Sequence, residues 1–451
     1  MIYYILFLSL LIEVGVAFIN PKNAIGICLV IIFLLPYNLK FNLGINLNSF
    51  NLAVIIIIAS LFKTALTQRC EYPMITKVIL LYVTYVIITS FFCALGTITM
   101  GEYLQNMVLL LMEYGLLAYF MCWMKLNVKD IRRFNTILFL VSVIIIVYGF
   151  LNYAMKFNPY RAYISLITDA ELDMSNDFME EQRGFLDGRV SSVFSHPLQL
   201  GQWVVLVFAY SVYEFKERLH PILYYTFLIS LFFIALLTGS RSSLFPLLIT
   251  IIIYVIHHKP GKIARYAIGI SLLMALSFSF LPSKVQSYFE ATVFFWDDKV
   301  SSDANITGSS KEGRVGQFEL AWASIDDNLL FGEGFNYNVK HREDLPEKLA
   351  GFESIFLSHL VDGGLIGLFI FIIFYFKLYK ILKYRCHNRS DKARVDSLCL
   401  SFFICISLTG ITYSFFCIYL VFYMITLYRV TINDKRILGG KNVTCVASEK
   451  L

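Results

Sequence analysis

The chain alternates long apolar stretches with short polar joints. Runs such as LAVIIIIASLF, VILLYVTYVII and LFIFIIFYF are too long and too free of charge to be core strands of a soluble domain. Stretches of about 17 to 22 predominantly apolar residues suit a bilayer-crossing helix. They fall near 2–18, 23–36, 50–66, 75–95, 103–124, 134–154, 197–213, 219–238, 241–256, 264–281 and 361–378. A further stretch, 396–429, has the length of a two-span hairpin broken near Thr409 and Gly410. The pattern predicts an all-α integral membrane protein with about 12–13 transmembrane helices. Two segments, 155–196 and 282–359, interrupt the rhythm with mixed charge, aromatic residues and the turn signal of Gly332 and Gly334 in DDNLLFGEGFNYN. They are expected to be large, partly helical loops. The expected organisation is 1–154 N-terminal membrane helices, 155–196 first outer loop, 197–281 central membrane helices, 282–359 large outer loop, 360–430 C-terminal membrane helices and 431–451 cytoplasmic tail. Within the second loop, Phe318, Ala321, Trp322 and Ile325 form one helical stripe, fit for a helix on the membrane surface or packed over the bundle.

Composition agrees with this pattern: 58% of the 451 residues are hydrophobic and 16% are charged, against roughly 45–50% and about 25% in soluble proteins. A soluble enzyme, a secreted disulfide module and a disordered scaffold are excluded. Nine cysteines form no CxxC pair and none lies in the two polar segments, so neither a disulfide framework nor a zinc site is implied. The N-terminal MIYYILFLSLLIEVGVAF lacks a basic flank and a small-residue cleavage site and is expected to be a retained first span.

The net charge of +6 is spread through the joints, which argues against nucleic acid as a partner and makes the distribution of charge informative. Lys and Arg favour the cytoplasmic side. Placing KLYKILKYRCHNRSDKAR there also puts Lys259, Lys262, Arg265, Lys216, Arg218, Lys125, Lys129, Arg132, Arg133, Lys63, Arg69 and Lys77 inside. Both polar segments then face outward.

Ionisable groups at that outer face are the candidates for chemistry. Arg241 in LLTGSRSSLFPLL stands where one helix ends and the next begins, beside Ser240, Ser242 and Ser243 and ahead of Pro246. It is either a phosphate clamp or an arginine reaching to lipid headgroups. In GRVSSVFSHPLQLGQ, Arg189 is an anion contact or a loop ion pair, and His196 is a structural hydrogen-bonding residue or a base. Pro197 opens a helix there, with Gln199 and Gln202 continuing into the membrane. Arg314 precedes an outer helix, and FESIFLSHLVDGGLIGLF brings Glu353, Ser354, His359 and Asp362 to a point of membrane re-entry. On one continuous helix Glu353 and His359 would face apart, so only one of them is expected to enter a site. Walker and GxSxG motifs are absent. Asp297–Asp298 reads as a solvated turn rather than a cation site.

Taken in order, TGSRSS at a helix end, the outer loop with R…W…DDNLLFGEGFN, and ES followed by nine residues and GLIG resemble the C-terminal region of the O-antigen ligase and Wzy-type polymerase superfamily, over roughly residues 185 to 380. In ligases of this superfamily a histidine assigned the catalytic role opens the last motif; here Glu353 stands at that position, which is more similar to the polymerase branch. The resemblance implies a GT-C-like glycosyltransferase fold in a bacterial inner membrane, with its active site facing the periplasm. It implies polyprenyl-pyrophosphate-linked oligosaccharide as donor and acceptor, membrane lipid as partner and a chain-length regulator protein as a further candidate partner. Arg241, Arg189 and Arg314 would bind the pyrophosphate, Arg241 and Glu353 would be catalytic, and His196 and His359 would be auxiliaries. No cofactor or metal is expected, since the arginines would supply the positive charge. A ligase attaching glycan to lipid A core is the alternative within the same chemistry, and a flippase of lipid-linked sugar the alternative outside it.

Overall fold

Several helix starts are written in the sequence as an amide or hydroxyl side chain followed by Pro or an acidic residue, the combination that satisfies the free N–H groups of a first turn. Asn20 caps the helix that opens with Pro21, Asn48 caps the next, and Thr99 with Glu102 and Asn127 with Asp130 form reciprocal capping boxes. A computed structural model describes the chain apart from residues 1, 36–39, 43–45, 95–98, 169–178, 180–181, 184–185, 259–282, 284–285, 288–289, 291–299, 301–310, 336, 338–351, 410–412 and 440–451. The expected span at 264–281, its basic group Lys259, Lys262 and Arg265, and Asp297 and Asp298 lie outside the described residues.

The described helices are α1 (Ile2–Ile19), α2 (Pro21–Leu34), α3 (Ser49–Thr67), α4 (Pro73–Ala94), α5 (Met100–Tyr114), α6 (Leu116–Met121), α7 (Val128–Met155), α8 (Pro159–Thr168), α9 (Pro197–Glu214), α10 (Pro221–Leu237), α11 (Arg241–His258), α12 (Lys311–Ser324), α13 (Ile355–Tyr384), α14 (Arg389–Leu408) and α15 (Tyr413–Gly439). Strand is confined, among the described residues, to two small antiparallel pairs, Lys40–Asn42 with Asn46–Asn48 and Gln182–Arg183 with Leu186–Asp187. Among the described residues, six helices hold segments long and apolar enough to cross a bilayer: Ile2–Ile19, Ser49–Thr67, Pro73–Phe92, Val128–Met155, Ile355–Tyr384 and Phe415–Asn433. Pro21–Leu34, Pro221–Leu237 and Arg241–His257 are shorter apolar helices. The protein is an all-α integral membrane protein.

Side-chain contacts sort the helix termini into two ends. At one end Lys22 pairs with Asp130 at 3.6 Å, Lys125 with Glu71 at 3.3 Å, and Lys383 with Asp396 at 2.8 Å. Asn433 reaches Asp391, and Arg429, Arg218 and Arg394 surround Glu214. The basic joints of the sequence thus gather at this end. At the other end lie the C-termini of α2 and α7, the N-termini of α9, α11 and α13, and α8, whose Tyr160 hydroxyl donates to the Leu34 carbonyl at 2.8 Å.

Helix α12 corrects the expected stripe. Ala321 and Ile325 are fully buried against Phe352, Leu360 and Val361, whereas Phe318 and Trp322 are exposed and stack on each other with ring centroids 6.1 Å apart. The face that packs is Gln317–Ala321–Ile325, set against Phe352 and the Leu360–Val361 stretch of α13.

Candidate functional site

The turn between α10 and α11 is built from Thr238, Gly239 and Ser240. Gly239 has φ +63, a left-handed conformation that glycine adopts without cost. The hydroxyls close on their own turn: Ser243 Oγ donates to the Ser240 carbonyl at 2.8 Å, and Ser240 and Ser242 share a hydrogen bond of 2.8 Å. Helix α9 approaches the turn at Gly201, where a Cβ would lie 2.9 Å from Ser243 Cβ. Arg241 is the first residue of α11 and is half-buried at this end.

Arg189 is fastened to the same turn. Its Nε donates to the Thr238 carbonyl at 2.9 Å, the Val190 N–H donates to the Leu237 carbonyl at 2.9 Å, and the side chain is buried. The following residues are held inside the bundle: Ser192, at φ 51, donates its hydroxyl to the Ile145 carbonyl at 2.9 Å. A non-glycine residue in that region is strained, and the hydrogen bonds around it maintain the strain. Arg189 and Arg241, far apart in sequence, therefore share one turn.

The re-entry motif contains a break that periodicity does not reveal. Helix α13 is interrupted at Gly364, with φ 63 and ψ −163. On a straight helix residues twelve apart would be about 18 Å apart, yet the His359 and Phe371 rings stack at 3.9 Å. The chain folds sharply at Gly364, so a short outer piece, 355–363, lies against the long helix. The segment containing Gly332 and Gly334 fills the break. Glu333 N–H donates to the Val361 carbonyl at 2.8 Å, Gly334 N–H to the Asp362 carbonyl at 3.0 Å, Leu365 N–H to the Leu329 carbonyl at 3.0 Å and Ile366 N–H to the Leu330 carbonyl at 3.2 Å. The backbone groups freed by a broken membrane helix are thus satisfied within the protein, the condition for tolerating such a break. A Cβ at Gly332 would collide with the backbone of Gly364 and Val361, and one at Gly364 with Leu330, so both positions exclude other residues.

Glu353 precedes the helix rather than lying on it: Ser354 is the N-cap, accepting from the Phe356 N–H at 3.3 Å. The expectation that a continuous helix turns Glu353 away from His359 is therefore replaced by a different geometry, in which Glu353 is a half-buried residue in the bend before the helix. Its N–H donates to Gln317 Oε1 of α12 at 2.9 Å. Arg314 lies on α12 one turn before Gln317, and its side chain lies outside the described part of the structure. Arg241 opens α11 and Glu353 precedes α13, at the same end of two helices that both pack on α14. Thr250 of α11 and Ser401 share a hydrogen bond of 2.6 Å, and Phe356 of α13 meets Phe403 edge-on at 5.6 Å.

The two histidines have identifiable partners. His196 Nδ1 accepts from the Leu198 N–H at 3.0 Å and so caps α9. His359 is buried among Tyr82, Tyr114 and Phe371, 3.3 Å from the Tyr114 hydroxyl. Among the described residues no group of three or more His, Cys, Asp or Glu side chains is placed to hold a metal ion.

Arg161 was not singled out by its sequence context. It lies in the first turn of α8, buried, with an Nε that meets no acceptor. Burial lowers its pKa from the ordinary guanidinium value, and the nearby Tyr160 opposes this. Asn158, fully buried, caps the same helix and donates to the Ser192 carbonyl at 2.7 Å and to Ser191 Oγ at 3.3 Å, binding α8 to the segment that carries Arg189. Only tertiary structure separates this arginine from the other cations of a mixed-charge loop.

These features define a multi-pass helical membrane protein with arginines converging on one face beside a broken re-entry helix. Residues 226–372, about a third of the chain, match the family model described as O-antigen ligase. The match supports the O-antigen ligase and Wzy superfamily for this chain, without distinguishing the polymerase branch. Members of that family are glycosyltransferase-like enzymes of O-antigen assembly. The matched segment spans Arg241, Glu353 and Gly364. No curated protein matches the chain.

Proposed function

We propose that the protein is an O-antigen polymerase of the bacterial inner membrane, joining polyprenyl-pyrophosphate-linked repeat units at the periplasmic face. The growing chain passes from its lipid diphosphate to the sugar hydroxyl of a new lipid-linked unit. In that step the acceptor oxygen bonds to the anomeric carbon, the bond from that carbon to the diphosphate breaks, and the hydroxyl proton passes to the Glu353 carboxylate. Arg241, with Arg189 and Arg314, neutralises the charge gathering on the departing diphosphate, the preorganised electrostatic contribution that usually dominates catalysis. Guanidinium groups supply that charge without a metal ion, and a single displacement inverts the anomeric centre. His196 and His359 are assigned to capping and packing.

The observation that carries this reading is that the family-matched segment contains Arg241 and Glu353 and that both stand at the end away from the basic joints. Glutamate at the re-entry motif favours polymerase over ligase. The placement of polar chemistry at one face, instead of the midplane, favours transferase over flippase. The surface polysaccharide of a deletion strain, run on a gel, tests the reading. A single repeat unit on core is the expected result. Complete absence of attached glycan would point to the ligase, and lipid-linked units accumulating on the inner leaflet to the flippase.

A further inference from the structure

A cation withdrawn from water is costly unless an anion or a full set of acceptors replaces its hydration. Arg161 has neither. Its relative exposure is 9%, its Nε is shielded from solvent without an acceptor, and no carboxylate among the described residues pairs with it. The contrast with its neighbour Lys156 is direct, since Lys156 pairs with Asp187 at 3.6 Å while remaining half exposed. Arg161 also sits in the first turn of α8, at the positive end of the helix dipole. The turn itself is rigid: Asn158 Oδ1 accepts from the Tyr148 hydroxyl at 2.9 Å and from the Arg161 N–H at 3.2 Å. Through Asn158 the turn is bonded to Ser191 and Ser192, and through Arg189 to Thr238, three residues before Arg241. The buried cation thus belongs to the same hydrogen-bonded framework as the other two arginines.

We infer that Arg161 is a receptor for a phosphate anion carried on lipid at this end of the bundle, the ligand providing the counter-charge that no carboxylate among the described residues supplies. Two sources share that chemistry: the diphosphate of the isoprenoid donor, which rests on the proposed function, and the headgroup of an anionic phospholipid, which does not. A residue kept for a ligand is a burden to the ligand-free fold, so the inference also concerns stability. Arg161→Met, which keeps length and removes charge, is expected to unfold no lower than the wild type when no anion is present.

The test uses the full chain in nanodiscs. In phosphatidylcholine discs, farnesyl diphosphate is titrated against wild type, Arg161→Met, Arg161→Lys and Arg241→Met. In a parallel arm, discs containing phosphatidylglycerol are compared with phosphatidylcholine discs for their effect on the melting temperature. Loss of about tenfold or more in diphosphate affinity in Arg161→Met, with partial recovery in Arg161→Lys, supports the donor as source. Stabilisation by phosphatidylglycerol that vanishes in Arg161→Met supports the headgroup as source, whatever becomes of the proposed function. Arg161→Met behaving as wild type in both arms overturns the inference, and if Arg241→Met alone loses diphosphate binding the proposed function survives without it. Wild type responding to neither anion, or Arg161→Met melting several degrees below wild type without ligand, also overturns it.

Discussion

The two ends of the bundle treat arginine differently. At the basic end, Glu214 is buried and its Oε1 receives Arg394 at 3.0 Å and Arg429 at 3.8 Å, while its Oε2 receives Arg218 at 3.9 Å and accepts from the Asn135 amide at 3.3 Å. The Arg394 approach is a charge contact more than an aligned hydrogen bond, since neither partner atom meets hydrogen-bond geometry there. Arg394 also meets Asp391, and Arg429 meets Glu217 at 3.5 Å. At the outer end, Arg189 gives its Nε to a backbone carbonyl and Arg161 meets no carboxylate among the described residues. Charge neutralised within the protein holds helices in register, and the contrast singles out Arg161 as the cation at the other end that meets no carboxylate among the described residues.

The sharpest way to break that contrast is to remove charge at the outer end. Arg241→Ala and Glu353→Ala are each expected to lower chain extension by about 10²–10³-fold or more while the protein stays in the membrane at normal level, read as loss of the glycan ladder with an immunoblot as control. Arg241→Lys fails as well if a two-pronged fork on the diphosphate is required, and survives if charge alone suffices. A full-length ladder from either alanine variant removes that residue from the mechanism.

At the basic end the same kind of substitution should act through stability. Glu214→Ala leaves Arg394 with Asp391 and Arg429 with Glu217 but removes the buried carboxylate that they share with Arg218, at a cost of up to about 3–5 kcal/mol. Thermal unfolding in detergent and a drop in membrane abundance are the readouts. Normal abundance with lost polymer would instead place the basic end in the chemistry and erase the distinction between the ends. Replacing Gly364 lies between these cases, since alanine there must adopt φ 63 and meet the Leu330 backbone. The left-handed backbone alone costs about 1–3 kcal/mol, and the collision with the Leu330 backbone adds to it. Polymer loss from Gly364→Ala should therefore be accompanied by a lower melting temperature, unlike the loss from Arg241→Ala.

The sequence was explicit wherever a property is local. Apolar stretches near 50–66, 75–95 and 134–154 correspond to α3, α4 and α7, and the Thr409–Gly410 break falls between α14 and α15. Arg241 and Arg189 could be singled out because they sit beside helix ends, and both are found at the turn between α10 and α11. What was not readable depends on distant segments. Gly364 looks like one of many membrane glycines until residues 329–334 are seen threaded into the break. Arg161 resembles any loop cation until its burial is known. The stripe on α12 was misjudged because periodicity gives the angle between residues and not which angle the neighbouring helix selects.

The smallest expected effect concerns His359, and it refines the comparison because this residue lies near the outer end yet resembles neither class of arginine. Its ring is buried and stacked on Phe371, edge-on to Tyr82 at 6.3 Å and to Tyr114 at 5.6 Å, with one hydrogen-bond partner, the Tyr114 hydroxyl. An aromatic ring of similar shape conserves most of that packing, whereas alanine opens a cavity beside the Gly364 break. His359→Phe is therefore expected to cost about 1 kcal/mol, the net worth of one hydrogen bond, and to keep a near-normal ladder. His359→Ala should destabilise by more, about 2–4 kcal/mol on the scale of other large-to-small core changes. If His359→Phe abolishes extension at unchanged melting temperature, the imidazole takes part in proton transfer. The base would then have to be sought inside the aromatic cluster rather than at Glu353.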